Sequence, residues 1–166
     1  MPLDISRIRH VKLPVTNLSR SAAWYQSLLD LELAAEFAER GVVRGVQLMD
    51  PAGGFGIALR DREHCASKPV LTGFDAFALE VDSMAALHQL AERCERLNVA
   101  HGGVQDRGTY GASLDIVDPD GTVLRFLVNN PINEGSFVGV DFDDDGQPTI
   151  YTTPRLTINS GGKAAT

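Results

Sequence analysis

The sequence is poor in cysteine and contains no long apolar run. Its two cysteines, Cys65 and Cys94, form neither a CxxC pair nor a zinc-binding spacing, so we expect ordinary thiols in a reducing, cytoplasmic setting. No apolar stretch approaches the roughly 20 residues that a membrane-spanning helix needs. The N-terminal residues MPLDISRIRH contain no apolar signal-peptide core. We therefore expect neither a membrane protein nor a secreted one.

Basic residues are also in the minority. The chain has 15 lysines and arginines against 22 aspartates and glutamates, and its formal net charge is −7. Nucleic acids and anionic membranes both favour a basic surface, so neither is an expected partner. The apolar fraction of 43% over 166 residues is ordinary for a globular chain. This length and composition predict one domain, or two closely packed half-domains, with a hydrophobic core.

The chain contains an internal repeat. Three alternating apolar residues in the segment 11–15 recur 66 positions later in the segment 77–81. DPAG at 50–53 returns as DPDG at 118–121, an offset of 68, and an apolar segment follows each turn. A nearly fixed offset across two kinds of segment indicates two similar modules, each too small to bury a core alone.

Each module has the pattern β-α-β-β-β. In both, an alternating apolar segment precedes a helical pattern with a candidate N-cap, which is Asn17 or Ser19 in the first module and Asp82 or Ser83 in the second. Three further strand candidates follow in each module. The expected strands are 7–15, 33–37, 42–49 and 55–59 in the first module, and 74–81, a short one near 104, 112–117 and 123–128 in the second.

The module boundaries follow from composition. A polar segment that contains Pro69 and Gly73 separates the two patterns. The C-terminal residues contain strand candidates at 137–142 and 149–151, which predict a short hairpin, and a small polar end that we expect to be frayed. The expected divisions are a first module at 1–60, a linker at 61–73, a second module at 74–130 and a C-terminal extension at 131–166.

Two segments resemble a known family. HVKLPVTNLSRSAAWYQSLLDLEL at 10–33 and the DPDG turn at 118–121 are similar to the vicinal oxygen chelate superfamily, which includes glyoxalase I, extradiol dioxygenases, fosfomycin-resistance enzymes and bleomycin-binding proteins. The resemblance covers about residues 7–128. It implies an α+β fold in which two tandem βαβββ modules form a cupped mixed sheet around a central cavity, commonly in a homodimer. It does not imply one chemistry, because this fold hosts many functions.

The metal ligands of this superfamily are mostly missing here. Its metal-dependent members carry a His or Gln in the first strand of each module and a carboxylate in the last strand of each. The corresponding residues in this chain are His10, Ala76, Ala58 and Arg125. A divalent metal needs three or more protein ligands of N, O or S type, and among these four only His10 is one. We therefore expect no catalytic metal and no other cofactor.

His10 and Arg125 are the principal candidate site residues. His10 is a candidate acid or base, or a hydrogen-bond anchor for a ligand; the alternative is a vestigial histidine bonded to the backbone or to a neighbouring side chain. Arg125 either binds an anionic oxygen of a ligand with its forked guanidinium or forms an internal salt bridge with Asp115 or Glu80. The resemblance places Arg125 at the deepest polar point of the cavity. In the ligand-binding case, we therefore expect a small organic molecule between His10 and Arg125, with a carboxylate, phenolate or enolate oxygen facing the guanidinium.

Four further residues complete the expected ligand-binding set. Tyr110, Ser113 and Asp115 lie on or just before a strand that the resemblance places along the cavity, and Ser113 and Asp115 share one face of it. Gln47 lies on a first-module strand from which it could face the pocket. The sequence alone does not decide which face of either strand is the inner one.

The sequence leaves three functions open. The favoured one is a metal-independent small-molecule-binding protein of the glyoxalase/bleomycin-resistance type, which sequesters an organic ligand, anionic or aromatic, in the cavity. The second is a metal-free isomerase, lyase or ring-opening enzyme that uses His10 as acid or base on a substrate oriented by Arg125. The third is a structural or regulatory dimer whose cavity is filled by side chains.

Overall fold

The first module has the expected order of elements. The computed structural model describes residues 7–128 and 139–156. The strand expected at 33–37 is longer than predicted, because almost the whole of it and its flanks pair with the next strand in a hairpin. The elements are β1 (Val11–Val15), α1 (Leu18–Leu29), β2 (Glu32–Glu39), β3 (Val42–Met49) and β4 (Gly56–Asp61).

The second module repeats this order. The strand predicted at 74–81 is shorter than expected, because only three residues form ladder pairs with the last strand of the module. The strand predicted near 104 is confirmed and spans six residues. The elements are β5 (Ala78–Glu80), α2 (Met84–Arg96), β6 (His101–Asp106), β7 (Ala112–Val117) and β8 (Val123–Val128).

A separate hairpin follows the second module. Its strands, β9 (Gly139–Phe142) and β10 (Pro148–Tyr151), pair antiparallel, which confirms the predicted hairpin. Residues 137–138 of its predicted first strand lie outside the described residues, as does the end from 157 onward that we expected to be frayed.

The helix starts and one turn follow the local sequence signals. The Asn17 side chain accepts a hydrogen bond from the backbone N–H of Arg20, and the Ser83 side chain accepts one from Ala86, so each satisfies a free N–H group of the first helical turn. The β2–β3 hairpin turns at Arg40 and Gly41, with φ angles of 52° and 79°. Two successive positive φ angles match the right-handed twist of hairpin strands.

Both modules form a four-stranded mixed sheet of the same topology. The strand orders are β1-β4-β3-β2 and β5-β8-β7-β6, and the first strand of each module runs parallel to the last. Lys12 pairs with Ala58 in the first sheet, and Ala78 pairs with Arg125 in the second. Ala58 and Arg125 therefore occupy equivalent positions, as the repeat predicts. The tandem βαβββ fold is confirmed.

Each helix covers one face of its own sheet. α1 packs on β3 and β4, and α2 packs on β6, β7 and β8. The side chains between helices and sheets form one apolar core shared by both modules, with Leu13, Leu48, Leu114 and Leu124 among its fully buried members. Burial of such surface, worth about 25 cal/mol per Å² of apolar area, is the main driving force for folding. In the described part of the chain, no helix covers the opposite face of either sheet.

The DPDG turn of the second module contacts the first module. The Asp120 carboxylate accepts hydrogen bonds from the backbone N–H of Thr16 at 3.0 Å, from the Thr16 hydroxyl, and from the Ser21 hydroxyl at 3.2 Å. Tyr25, which is fully buried in α1, donates its hydroxyl hydrogen to Asp118 at 2.8 Å. The repeated turn thus joins the two modules as well as the strands β7 and β8.

Two further features concern the cysteines and the helices. Cys65 and Cys94 are both free thiols, and burial raises the pKa of the Cys94 thiol. Within 7–128 and 139–156, neither α1 nor α2 has the length and apolar character required to cross a membrane.

Candidate functional site

The open face of the first sheet forms a cavity of about 480 Å³. Side chains alternate across a strand, so His10, Lys12, Ala58 and Arg60 lie on the face away from α1. The volume lies within the range of about 300–1,000 Å³ that is typical of small-molecule sites. The lining residues all belong to the first module and are His10, Lys12, Phe37, Ala38, Glu39, Gly45, Val46, Gln47, Ala58, Leu59 and Arg60.

His10 lies in this cavity with an unsatisfied ring nitrogen. Its Nδ1 is buried and has no hydrogen-bond partner among the described residues. An unpaired buried polar atom costs free energy, and a histidine whose second nitrogen is not held lacks the contact that usually sets its tautomer and orientation. The arrangement suits a side chain that gains a partner when a ligand enters.

Phe37 and Gln47 form two walls of the cavity. Phe37 lies opposite Gly45 in the β2–β3 ladder, and a Cβ atom at Gly45 would lie only 3.0 Å from the backbone oxygen of Leu59. The glycine therefore leaves the floor beside the aromatic ring free of side-chain atoms. The Gln47 amide nitrogen lies 3.2 Å from the sulfur of Met49, which is a weak acceptor, so the amide is available to a better partner.

Three charged side chains line the cavity. The Arg60 guanidinium donates to the Glu39 carboxylate and, at 3.1 Å, to the backbone oxygen of His64. This hydrogen bond lowers the pKa of Glu39, so the carboxylate is ionised and paired. Lys12 is exposed and forms no hydrogen bond or ion pair with any other described residue. The cavity therefore carries one net positive charge, and the unpaired cation is Lys12.

Arg125 is the centre of an ion-pair cluster on the open face of the second sheet. Its Nε and Nη2 donate to the two carboxylate oxygens of Asp115 at 2.9 and 2.8 Å, and its Nη1 donates to Asp75. The bond to Arg125 lowers the pKa of Asp115, and the bond to Asp115 raises the pKa of the guanidinium. The internal pair with Asp115, one of the alternatives left open by the sequence, is thus present. Asp75 is a second partner that sequence reasoning did not identify, and it gives the cluster a net charge of −1.

The other second-module candidates lie with Arg125. Ser113 pairs with Leu127 and Asp115 pairs with Arg125 in the β7–β8 ladder, so Ser113 and Asp115 share the open face of this sheet. Ser113 is buried, and Tyr110 is about half exposed in the turn before β7. This turn is a single 3₁₀ turn at Gly108–Tyr110.

The six candidate residues therefore form two groups. His10 and Gln47 line the first-module cavity, whereas Tyr110, Ser113, Asp115 and Arg125 belong to the second module. The described lining of the His10 cavity comes from residues 10–60 alone and does not include Arg125 of the same chain. The expected ligand position between His10 and Arg125 therefore stays a prediction. Buried residues of both modules belong to one apolar core, and each helix packs on its own sheet, so His10 and Arg125 lie on the open faces of two different sheets.

Sequence reasoning missed the four charged and aromatic residues of the cavity, which are Lys12, Phe37, Glu39 and Arg60. Two of them could have been found from strand alternation, which places residues i and i+2 on the same face of a sheet. Lys12 follows His10 by two positions, and Arg60 follows Ala58 by two. Phe37 and Glu39 carried no such signal. Their face depends on the β2–β3 register, which shifts at two irregular points.

A larger groove of about 570 Å³ lies between the two helices. Its apolar lining includes Leu90 and Phe126, and its Arg93 donates to the backbone oxygen of Ser27 and to the Asp30 carboxylate. The guanidinium is therefore engaged in joining α2 to α1. The first-module cavity is the better candidate site because its His10, Gln47 and Lys12 have polar groups without strong partners.

The residues present do not fit the divalent metal that the fold implies. The described residues contain no group of three or more His, Cys, Asp or Glu side chains that could hold a metal ion. Ala58 cannot coordinate a metal, and the equivalent Arg125 places a cation where a carboxylate would be needed. A lone imidazole, His10, is too small a donor set.

Three solved structures have similar folds. A glyoxylase/bleomycin resistance protein/dioxygenase domain from Frankia sp. EAN1pec is 24% identical, with 80% of this chain and 96% of that one covered and a TM-score of 0.63. The fosfomycin resistance protein FosX from Listeria monocytogenes is 20% identical, with 75% and 94% covered and a TM-score of 0.59. TnmS3, an antibiotic binding protein from Streptomyces sp. CB03234, is 19% identical, with 77% and 99% covered and a TM-score of 0.62. At these identities the likeness shows the fold alone.

A sequence profile shows the family. No curated protein matches the chain in sequence. The profile of the Glyoxalase/Bleomycin resistance protein/Dioxygenase superfamily matches residues 7–126, which span both modules up to the middle of β8. The match agrees with the tandem fold and with the resemblance carried by the segments 10–33 and 118–121. The chain therefore belongs to the Glyoxalase/Bleomycin resistance protein/Dioxygenase superfamily.

Proposed function

We propose that this protein binds a small organic molecule in the first-module cavity and holds it without a metal ion. The observation that carries the proposal is the cavity of about 480 Å³ itself, which joins an aromatic wall at Phe37 to polar groups of His10 and Gln47. Such a mixture of apolar surface with a few polar groups is typical of ligand pockets. The description of TnmS3 as an antibiotic binding protein is consistent with this use of the fold.

The geometry favours sequestration over catalysis. A histidine that acts as acid or base usually has its second ring nitrogen fixed by a carboxylate or carbonyl group, and the Nδ1 of His10 has no such partner among the described residues. Glu39, the carboxylate in the cavity, is occupied by Arg60. The alternative, a metal-free isomerase, lyase or ring-opening enzyme with His10 as acid or base, therefore has less support than a binding protein.

Calorimetric titration with 1-naphthamide, a neutral aromatic probe, tests the proposal. The protein is first treated with EDTA, and its metal content is measured by elemental analysis. We expect the metal-free protein to bind the probe, and Gln47→Trp to abolish binding because the indole fills the cavity. His88→Trp is the matched control, since His88 is exposed on α2, and it should bind like the wild type.

Two results would contradict the proposal. Binding that survives Gln47→Trp would place the ligand elsewhere, and binding that requires a restored divalent metal would remove metal independence. Mass spectrometry of the molecule recovered from the complex addresses catalysis. An organic ligand purified with the protein and then converted on incubation, with conversion lost in His10→Ala, would favour the enzyme.

We also propose a homodimer. Apart from Phe37 in the cavity, the β2–β3 hairpin exposes apolar side chains at Leu33, Val42 and Val43, whose exposed fractions are 50%, 47% and 39%. Exposed apolar side chains grouped on one hairpin are a candidate interface, and a second copy of the chain is the simplest partner for them. Analytical ultracentrifugation should give twice the 17.9 kDa chain mass at micromolar concentration, and a monomer at every concentration would rule the dimer out.

We also propose that the protein acts in the cytoplasm. The two free thiols, Cys65 and Cys94, support this location, because secreted proteins of this size more often pair their cysteines. Fractionation of cells that express the full chain with a C-terminal tag is the corresponding measurement, and recovery in the extracellular medium would contradict it.

A further inference from the structure

The proposed cavity also indicates the chemical class of its ligand. Resting on the proposed function, we infer that the ligand is an organic anion whose acidic group is held by Lys12, and that Arg125 has no part in binding it. This inference concerns the charge of the ligand, which the cavity volume and the aromatic wall do not address.

The first step is the charge balance of the cavity. Among its lining residues, the charges of Arg60 and Glu39 are mutually paired, and Arg60 is further held by the backbone oxygen of His64. Lys12 has no carboxylate partner among the described residues. The cavity is thus locally positive in a chain whose formal net charge is −7. An acidic oxygen placed there gains a charge-assisted hydrogen bond without displacing an internal partner.

The second step is the exclusion of Arg125. Its three donating nitrogens are already bonded to Asp115 and Asp75. Two carboxylates against one guanidinium leave this cluster negative, so an anionic ligand would be repelled there unless an aspartate were displaced. The two cations thus differ in their partners: Arg125 is fully paired with carboxylates, and Lys12 is free of a described carboxylate partner and can bind an anionic ligand.

The third step is the position of the uncharged groups. His10 precedes Lys12 by two residues and lines the same cavity, where its buried Nδ1 lacks a partner. Phe37 contributes an aromatic side chain to that cavity, which suits an apolar or aromatic ligand body. Together these groups fit an aromatic carboxylate or phenolate whose acidic oxygen approaches Lys12.

Three naphthalene probes of similar size separate charge from shape. They are 1-naphthoate, which is anionic, 1-naphthamide, which is neutral, and 1-naphthylmethylammonium, which is cationic. We expect the wild-type protein to bind 1-naphthoate most tightly and the cation most weakly. Lys12→Met should weaken 1-naphthoate binding by about five- to thirtyfold, as for a partly exposed charge-assisted contact, and leave 1-naphthamide binding unchanged.

Two further variants complete the experiment. Lys12→Arg retains the charge and should retain most of the preference for 1-naphthoate. Arg125→Met is the matched control, because it removes a cation of the second module, and it should leave the affinities for all three probes unchanged even if it lowers the melting temperature. Raised salt concentration should weaken 1-naphthoate binding in the wild type and have less effect in Lys12→Met.

The outcomes separate this inference from the proposed function. Equal affinities of the wild type for 1-naphthoate and 1-naphthamide, both lost in Gln47→Trp, would overturn the inference and leave the cavity as a binding site. Loss of 1-naphthoate binding in Arg125→Met, with Lys12→Met unaffected, would also overturn it and return the ligand to the second module. Failure of all three probes to bind the wild type would contradict the proposed function, and the inference with it.

Discussion

Tyr25 has a fully buried side chain that carries a hydroxyl group into the core. Its hydroxyl donates to the Asp118 carboxylate at 2.8 Å, while the other Asp118 oxygen accepts from the backbone N–H groups of Asp120 and Thr122. We expect Tyr25→Phe to lower the free energy of unfolding by about 1–3 kcal/mol, because a buried carboxylate loses a donor. Urea denaturation measures the loss, and Tyr110→Phe, in a turn at the surface, should show none.

The same hydroxyl predicts a pH dependence on the alkaline side. Burial, and then the Asp118 carboxylate, raise the pKa of Tyr25 well above its usual range. In the unfolded chain the phenol ionises near pH 10, whereas in the folded protein it stays neutral, so stability present below pH 10 is lost as the pH rises further. The free energy of unfolding should therefore fall more steeply above pH 10 in the wild type than in Tyr25→Phe, and parallel curves would contradict this assignment.

For Asp115 we expect the opposite pH dependence, in which stability is lost as the pH falls. Its hydrogen bonds to Arg125 lower its pKa in the folded protein, so it contributes stability above the pKa of the unfolded chain, about 3.9, and loses it as the pH falls through the folded value. Asp115→Asn should melt at a lower temperature than the wild type at pH 7, and the gap should close at acidic pH. Asp144→Asn, in an exposed loop, is the control that should show no gap at either pH.

At the scale of elements, the second helix depends on its N-cap. The Ser83 hydroxyl accepts a hydrogen bond from the backbone N–H of Ala86 at 3.2 Å and so satisfies a donor that has no partner within the helix. Ser83→Ala should cost about 1 kcal/mol of stability in urea denaturation. His88→Ala, on the exposed face of α2, should leave the midpoint unchanged; equal effects of the two variants would show that the cap is not responsible.

At the scale of the molecule, the third residue of the DPDG turn joins the two modules, whereas the equivalent residue of the DPAG turn does not. Asp120 in DPDG bonds Thr16 and Ser21 of the first module. The equivalent position in the first turn, offset by 68, is Ala52, which has no carboxylate to make the reciprocal contact. The sequence repeat is therefore more symmetric than the contacts between its copies.

This asymmetry gives a prediction for cooperativity. Asp120→Ala should lower stability by about 1–2 kcal/mol and broaden the urea transition, because the modules lose part of the contact that makes them unfold together. Asp50→Ala is the matched variant, since its carboxylate bonds only the backbone N–H groups of Ala52 and Gly54 within its own turn. It should lower the midpoint without reducing the slope of the transition, and the same slope in both variants would contradict the coupling role.

Local patterns were sufficient to predict the elements and their order. Interactions within a few residues determine the N-caps at Asn17 and Ser83 and the hairpin turn at Arg40–Gly41. These features could therefore be predicted from short sequence segments. β5 was predicted too long because its length depends on pairing with a distant strand. The apolar pattern of 74–81 continues beyond the three residues that have ladder partners on β8, and the number of partners is a long-range property.

The sequence by itself determined that two βαβββ modules form, that Ala58 and Arg125 occupy equivalent positions, and that too few metal ligands remain among them. Periodicity, turn chemistry and the repeat offset are properties of neighbouring residues or of a comparison within the chain. Only the tertiary structure decided that His10 shares a cavity with Lys12 and that Arg125 is bound by Asp115 and Asp75. A cation in the sequence has many possible carboxylate partners, and sheet register and module packing, which bring distant residues within about 3 Å, select among them.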